Sequence, residues 1–199
     1  TTVAAVRIAM ADLKKEHPEY APLLMTMDGI EDADWENNWK QYYQPLPIGE
    51  KLLVVPEWLH PENPEHRVEV LLDPGMIFGT GAHASTQMCM RELERAIQGG
   101  ERVLDLGSGS GILSIASLAL GASHAAAVDI DPKAVDVAYE NAALNGIGQD
   151  TYTVRIGDVL GDAVLRADLG GGWQMVVANI VADVIICLLY TSPSPRDCS

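Results

Sequence analysis

The segment of this chain best suited to chemistry is glycine-rich and reads Asp105-Leu-Gly-Ser-Gly-Ser-Gly111. Its glycines, Gly107, Gly109 and Gly111, allow the backbone to turn sharply and to approach a ligand closely. A short apolar strand pattern, Arg102–Leu106, precedes the segment and a helical pattern follows it, so the free amides of a helix N-terminus face the same place. The spacing G-x-G-x-G differs from the G-x-G-x-x-G of dinucleotide-binding proteins, which disfavours a nicotinamide-dependent oxidoreductase.

A carboxylate is expected beside this glycine segment. Asp129 ends the next predicted strand, where it could accept hydrogen bonds from both hydroxyls of a ribose. Asp131 is the weaker candidate, because Asp131-Pro132 is typical of a helix N-cap. A purely structural turn at the glycines is the alternative interpretation, and the strand context together with Asp129 favours a ligand site.

An amide side chain is predicted on the same edge of the sheet. Asn179 stands at the end of the predicted strand 174–178, the fourth counted from the strand that precedes the glycine segment. Ligands of open α/β sheets bind beyond the carboxyl ends of the strands. Its carbonyl could accept a hydrogen bond from an amine nucleophile. A strand-end asparagine is equally typical of a turn, and both interpretations stay open.

A second motif, Asp73-Pro-Gly-Met-Ile-Phe-Gly-Thr-Gly-Ala-His-Ala-Ser-Thr86, comes before a helix. As a loop it could close over a ligand, with Thr86 contributing a hydroxyl near the helix start. The alternative is a tight structural connection. A histidine in such a place, His83, is more often structural than catalytic.

Strands and helices that alternate along the chain must position these groups, and the alternation predicts an α/β fold with a doubly wound, mostly parallel sheet. The predicted strands are 51–55, 68–72, 102–106, 125–130, 151–156 and 174–178, and the predicted helices are 85–97, 112–120 and 132–145. Before them, a helix followed by a connector occupies residues 1 to about 30. The aromatic residues Trp35, Trp39, Tyr42 and Tyr43 are predicted to pack, and Gln44–Glu50 is predicted to be a linker-like break.

Composition restricts the class of protein. The chain has 199 residues, 48% hydrophobic and 21% charged, which is ordinary for a soluble globular protein, and no apolar run is long enough for a membrane helix. The net charge of −15 disfavours binding to nucleic acid and favours encounter with a basic partner, although solubility alone would also explain it. Three cysteines and five histidines lack ligand spacing, so no metal site is predicted and a reduced, cytoplasmic compartment fits best.

Four motifs together resemble the bacterial ribosomal protein L11 methyltransferase family, which belongs to the class I S-adenosylmethionine-dependent methyltransferases. In order, these are the 73–86 loop, the glycine segment extended to Ile-Leu113, Val128-Asp-Ile-Asp-Pro132, and Val176-Val-Ala-Asn-Ile180. The resemblance implies that Thr86, Gly107, Asp129 and Asn179 bind S-adenosylmethionine, with Gly109 and Gly111 as loop glycines. Ala82 and Ala84 depart from the threonine and proline of many members.

The resemblance also implies a function: methylation of lysine ε-amines, of the N-terminal α-amine, or of both, in a basic ribosomal protein. Asn179 would orient the amine, and no general base is assigned. A related class I methyltransferase acting on another protein or a small molecule, or a noncatalytic cofactor-binding protein, is the alternative. Neither nucleic acid nor a membrane is an expected partner.

The resemblance divides the chain into four predicted parts. Residues 1–32 would be the remnant of a small α+β substrate-recognition domain, 33–72 a linker with the first strands, and 73–186 an incomplete methyltransferase domain. Residues 187–199 are similar to the translation of a transposon-derived sequencing adapter and are predicted to be non-native. The chain is accordingly expected to be a fragment truncated at both ends, with β-strands of the family beyond the fourth absent.

Overall fold

The structure, a computed structural model of the chain, describes residues 2–20, 40–74 and 81–191. The chain divides after Tyr42 into two compact units. The first unit contains helix α1 (Thr2–Glu16) and two short 3-10 turns, Pro18–Tyr20 and Lys40–Tyr42. The predicted N-terminal helix is thus confirmed. Of the aromatic residues predicted to pack, Trp35 and Trp39 lie outside the described residues, and the prediction was wrong for Tyr42, which is 80% exposed.

The second unit is built on a four-stranded parallel sheet. Its strands are β4 (Arg102–Leu106), β5 (His124–Asp129), β6 (Tyr152–Ile156) and β7 (Met175–Ala178), in the order β6-β5-β4-β7. The helices are α2 (Ala84–Ala96), α3 (Ile112–Ala119), α4 (Pro132–Leu144), α5 (Ala163–Leu169) and α6 (Ala182–Thr191). The predicted parallel α/β sheet is confirmed, and along the sheet its four strands, counted in chain order, lie in the order third, second, first, fourth.

The two faces of this sheet are covered by different helices. Alternate side chains of the strands, among them Val103, Ala125 and Tyr152, pack with α3 and α4 in the larger hydrophobic core. The side chains between them, Leu106 and Val128, pack with Leu165 of α5 in a smaller one. Helices on both faces make the sheet doubly wound, as predicted.

A smaller sheet adds to the larger core. Strand β1 (Leu46–Ile48) is antiparallel to β2 (Leu52–Pro56), which is parallel to β3 (Val68–Leu72). The core contains side chains from this sheet and from the main one, so residues on both sides of the predicted boundary at 73 share it.

Three elements were not predicted. The prediction of a linker-like break at 44–50 was wrong over β1. This strand accommodates Pro47 because, in the part of the chain that the structure describes, it pairs on one side only. Helix α5 has seven residues and gives a weak periodic signal. Helix α6 continues to Thr191, across the predicted boundary at 187.

Strand β7 pairs only with β4 among the described residues. The side chain of Val176 is 56% exposed there. The helices that the structure describes include none that is both long enough and apolar enough to span a bilayer.

Candidate functional site

The glycine segment forms a tight elbow between β4 and α3. Gly107, Gly109 and Gly111 have φ angles of 74°, 51° and 78°, in the left-handed region that favours glycine. A Cβ atom at Gly107 would overlap Cγ2 of Ile180, and one at Gly111 would lie 2.8 Å from the hydroxyl of Tyr152. The elbow therefore requires glycine at positions 107 and 111 for both conformation and space.

Backbone hydrogen bonds hold this elbow against the neighbouring strand. The amides of Gly107 and Ser108 both donate to the carbonyl of Val128, over 2.8 and 3.2 Å. Gly111 is the N-cap of α3 and has no side chain with which to cap it. The N-terminus of α3 thus presents its amides at the rim formed by the carboxyl ends of the strands, a position suited to a carboxylate.

Asp129 lies beside the elbow, as predicted. One carboxylate oxygen, Oδ2, accepts a hydrogen bond from the amide of Gly109 over 2.8 Å, and Oδ1 accepts one from the amide of Asp131 over 2.9 Å. A carboxylate has about four acceptor positions, so each oxygen keeps capacity for another donor. Asp129 is half-buried at the rim, where a ligand hydroxyl could reach it.

Asp131 has the other role that the sequence indicates. Its carboxylate accepts from the amide of Lys133 over 2.9 Å and caps α4, with Pro132 in the first turn. This hydrogen bond confirms Asp131 as an N-cap.

Asn179 and Thr86 meet at the end of β7. Nδ2 of Asn179 donates to Oγ1 of Thr86 over 2.8 Å, although 93 positions separate the two residues. Thr86 is buried in the first turn of α2, and Asn179 is half-buried. Because the amide nitrogen is directed at Thr86, the carbonyl Oδ1 of Asn179 is the end directed elsewhere, as an amine-orienting role needs.

The 73–86 motif is described only at its two ends, since residues 75–80 lie outside the described ranges. Near its second end, Gly81 is buried, and a Cβ there would meet Ile112 of α3 at 3.1 Å. His83 is the N-cap of α2: its ring nitrogen Nδ1 accepts from the amide of Ser85 and lies 2.7 Å from the Ser85 hydroxyl. This contact agrees with the structural interpretation of His83.

A buried polar cluster forms the floor of the elbow. Asp105 is fully buried, and the hydroxyl of Ser114 donates to its Oδ2 over 2.8 Å. Burial raises the pKa of Asp105 to about 6, and the charge of Asp129 adds to the rise, while Ser114 opposes it. The other oxygen of Asp105, the hydroxyl of Ser108 and the hydroxyl of Tyr152 are buried with no hydrogen-bond partner among the described residues.

Two residues of the rim region were not predicted. Ile130 follows Asp129 directly and is 76% exposed, so it offers an apolar surface next to the carboxylate. Its signal in the sequence is a large apolar residue between two aspartates at a strand end. Asn141 of α4 is almost fully buried behind the elbow, and its helical position gives no sign of its partners. The described ranges contain no cluster of three His, Cys, Asp or Glu side chains able to hold a metal ion.

A parallel sheet in this order, with a glycine elbow after its first strand and a carboxylate after its second, defines the class I methyltransferase fold. Comparison with known proteins gives the family. The sequence model described as ribosomal protein L11 methyltransferase (PrmA) matches residues 2–193, and the chain belongs to that family.

Several relatives share this similarity. The chain is 43% identical over 164 residues to the ribosomal protein L11 methyltransferase of Syntrophomonas wolfei, covering 82% of this chain and 51% of the relative. It is 42% identical over 186 residues to that of Streptococcus uberis, covering 93% of this chain and 56% of the relative. The chain thus spans about half the length of the curated relatives it matches.

A solved structure agrees with the fold. The ribosomal protein L11 methylase from Lactobacillus delbrueckii subsp. bulgaricus superposes with a TM-score of 0.65 and 36% identity. The match covers 74% of this chain and 72% of that one.

Proposed function

We propose that this protein transfers methyl groups from S-adenosylmethionine to amines of ribosomal protein L11, on lysine side chains, on the N-terminal α-amine, or on both. The observation that carries the proposal is the hydrogen bond between Asp129 and the glycine elbow, at the carboxyl ends of the strands in a member of this family. Relatives named for L11 methylation support the choice of substrate.

The residues at the rim fit S-adenosylmethionine. Asp129 keeps acceptor positions for the ribose hydroxyls, and exposed Ile130 offers an apolar face to a purine. The N-terminus of α3 suits the carboxylate of the amino-acid part. The elbow has no room for a Cβ at position 107, so only glycine permits this backbone path. When bound, the cofactor supplies an electrophilic methyl group on a sulfonium.

Asn179 would orient the amine that receives this methyl group. Its Nδ2 is held by Thr86, so Oδ1 is the acceptor available to an amine N–H. The nucleophile must be the neutral amine, and burial in the complex lowers the pKa of a lysine toward that form. No residue is assigned as a general base, because desolvation and positioning account for much of such a rate.

The charge of the chain fits a basic protein substrate. With a net charge of −15, the surface attracts a positively charged protein and repels the phosphate backbone of nucleic acid. Such a substrate places the reaction in the cytoplasm, where ribosomal proteins are made.

The test is a methylation assay with purified chain, S-adenosylmethionine and, in separate reactions, unmethylated ribosomal protein L11, a bacterial protein extract and a bacterial small-molecule extract. Calorimetry measures cofactor affinity, and mass spectrometry of L11 counts the methyl groups and locates them. Methyl groups on lysine or the N-terminus of L11 support the proposal. Cofactor binding with transfer only to another protein or a small molecule would favour the broader class I assignment. Cofactor binding without any transfer would favour a noncatalytic binding role, and absence of binding would overturn the proposal.

A further inference from the structure

Asn141 is a buried polar residue of α4 that joins two separate segments of backbone. Its side chain is 1% exposed, and both ends of its amide are bonded. Nδ2 donates to the carbonyl of Ser110 over 2.9 Å, and Oδ1 accepts from the amide of Asp73 over 2.9 Å. These partners lie 31 and 68 positions away along the chain.

The two partners of Asn141 belong to separate segments, and one of these segments, the elbow, is part of the proposed cofactor site. Ser110 stands in the elbow between Gly109, whose amide binds Asp129, and Gly111, the N-cap of α3. Asp73 follows the carboxyl end of β3 and begins the motif that ends at Thr86. One side chain therefore fixes the elbow relative to the start of this motif.

Asn145, one helical turn later, provides a matched comparison. Its amide accepts from the amide of Leu71 and donates to the carbonyl of Leu71, both over 2.8 Å, and also donates to the carbonyl of Asn141. Asn145 thus attaches β3 to α4, as Asn141 attaches Asp73. Among the described residues, however, its hydrogen bonds reach no atom of the elbow. The two asparagines lie one helical turn apart, and each bonds the backbone of the segment 71–73, so they differ mainly in whether they also reach the elbow.

We propose that Asn141 is a positioning residue for the cofactor site, coupling the elbow to the segment that leaves β3. It acts through the backbone of Ser110 and Asp73 and touches neither cofactor nor substrate. The inference rests on the proposed function, because it takes the elbow to be the wall that holds the cofactor. A merely structural asparagine would contribute to folding without a separate effect on cofactor affinity.

The test compares Asn141→Ala with Asn145→Ala in the full chain. Thermal unfolding measures stability, and calorimetric titration with S-adenosylmethionine measures the Kd of folded protein. Each variant should lower the melting temperature. Asn141→Ala should raise the Kd about tenfold, as expected for loss of a buried hydrogen bond that positions the elbow. Asn145→Ala should leave the Kd within about twofold of the wild type.

A second measurement needs no variant. Hydrogen exchange of the wild-type Asp73 amide is followed with and without S-adenosylmethionine. If Asn141 couples the elbow to the segment that leaves β3, the cofactor should slow this exchange several-fold together with that of the elbow amides, because coupling between sites is reciprocal.

The possible outcomes distinguish failure of the proposed function from failure of the role proposed for Asn141. A wild-type chain that does not bind S-adenosylmethionine overturns the proposed function and this inference with it. A wild type that binds, with equal Kd changes in the two variants or with Asp73 exchange unaffected by the cofactor, overturns the role of Asn141 and leaves the function standing.

Discussion

Two corners of the rim are built in different ways. The glycine corner, residues 105–111 with Asp129, is tied by backbone hydrogen bonds to β5 and stands on the fully buried Asp105. The amide corner, Thr86 with Asn179, is joined by one side-chain hydrogen bond at the end of β7, a strand whose Val176 is 56% exposed. Several backbone hydrogen bonds fix the first corner, whereas one hydrogen bond joins the two side chains of the second among the described residues.

This difference predicts that the glycine corner acts mainly on cofactor binding and the amide corner mainly on methyl transfer. A corner whose shape is fixed by many contacts is pre-organised, which suits tight binding of a cofactor. In the proposed function, the hydrogen bond of the amide corner directs the carbonyl of Asn179 toward the amine that is methylated. Substitutions in the glycine corner should therefore change stability and affinity together, whereas substitutions in the amide corner should act mainly on transfer.

The largest effect is expected from Gly107→Ala. Its left-handed backbone disfavours alanine, and the added Cβ would overlap Ile180, so the free energy of unfolding should fall by about 4 kcal/mol. Gly146→Ala is the control: its φ is 68°, and a Cβ there meets nothing within 4 Å, so only the conformational cost of about 1–2 kcal/mol should appear. Urea unfolding measures both, and equal losses would show that the elbow is not tightly packed.

Asp105→Asn should change how stability depends on pH. The pKa of Asp105 is raised to about 6 in the folded chain, above its ordinary value of about 3.9, so the folded state binds this proton more strongly. The contribution of Asp105 to stability is then present at low pH and is lost as pH rises through 6. Relative to the variant, the wild type should lose about 2–3 kcal/mol between pH 4 and pH 7.

Unfolding by urea at a series of pH values would show this divergence. Two parallel profiles would mean that Asp105 titrates as an ordinary carboxyl group and that its side chain is accessible to water in the folded chain.

Asp129→Ala should weaken cofactor binding more than Asp131→Ala. Loss of charge-assisted hydrogen bonds to ribose costs about 2 kcal/mol, or roughly thirtyfold in Kd, and the amide of Gly109 also loses its acceptor. Asp131→Ala removes a helix cap worth about 1 kcal/mol of stability and should leave the Kd nearly unchanged. Calorimetry on both variants decides the point, and equal Kd values would count against Asp129 as the ribose ligand.

The smallest effect is expected from Thr86→Val, which removes the acceptor for Asn179 while keeping the shape of the side chain. Turnover should fall about fivefold, as for loss of one hydrogen bond of about 1 kcal/mol, with a smaller change in cofactor Kd. Thr86→Ser keeps the hydroxyl and should restore turnover. A serine variant as slow as the valine variant would contradict this role of the hydroxyl.

The glycine corner was the more predictable of the two from sequence. A short apolar strand, three alternate glycines and a helix start are all local signals, and an aspartate at the end of the next strand must reach the same rim in a parallel sheet. The N-cap role of Asp131 was equally local. These features were predictable because neighbouring residues in the sequence determine them.

What the sequence left open depends on distant contacts. The bond between Asn179 and Thr86, and those of Asn141 to Ser110 and Asp73, join residues that only the packed fold brings together. Strand β1 was missed for a related reason: Pro47 disfavours a strand unless the strand is paired on one side only, and pairing is a tertiary property.

The claim that the glycine corner acts on cofactor binding and the amide corner on transfer is tested most directly by comparing Asn179→Ala with Asp129→Ala in two assays. Calorimetry gives the cofactor Kd, and single-turnover methylation of L11 at saturating cofactor gives the transfer rate. We expect Asn179→Ala to slow transfer about tenfold or more with a Kd within about threefold of the wild type. We expect Asp129→Ala to raise the Kd and to leave the saturated transfer rate close to that of the wild type. A loss confined to cofactor binding in Asn179→Ala, or the same pattern in both variants, would contradict these different roles of the two corners.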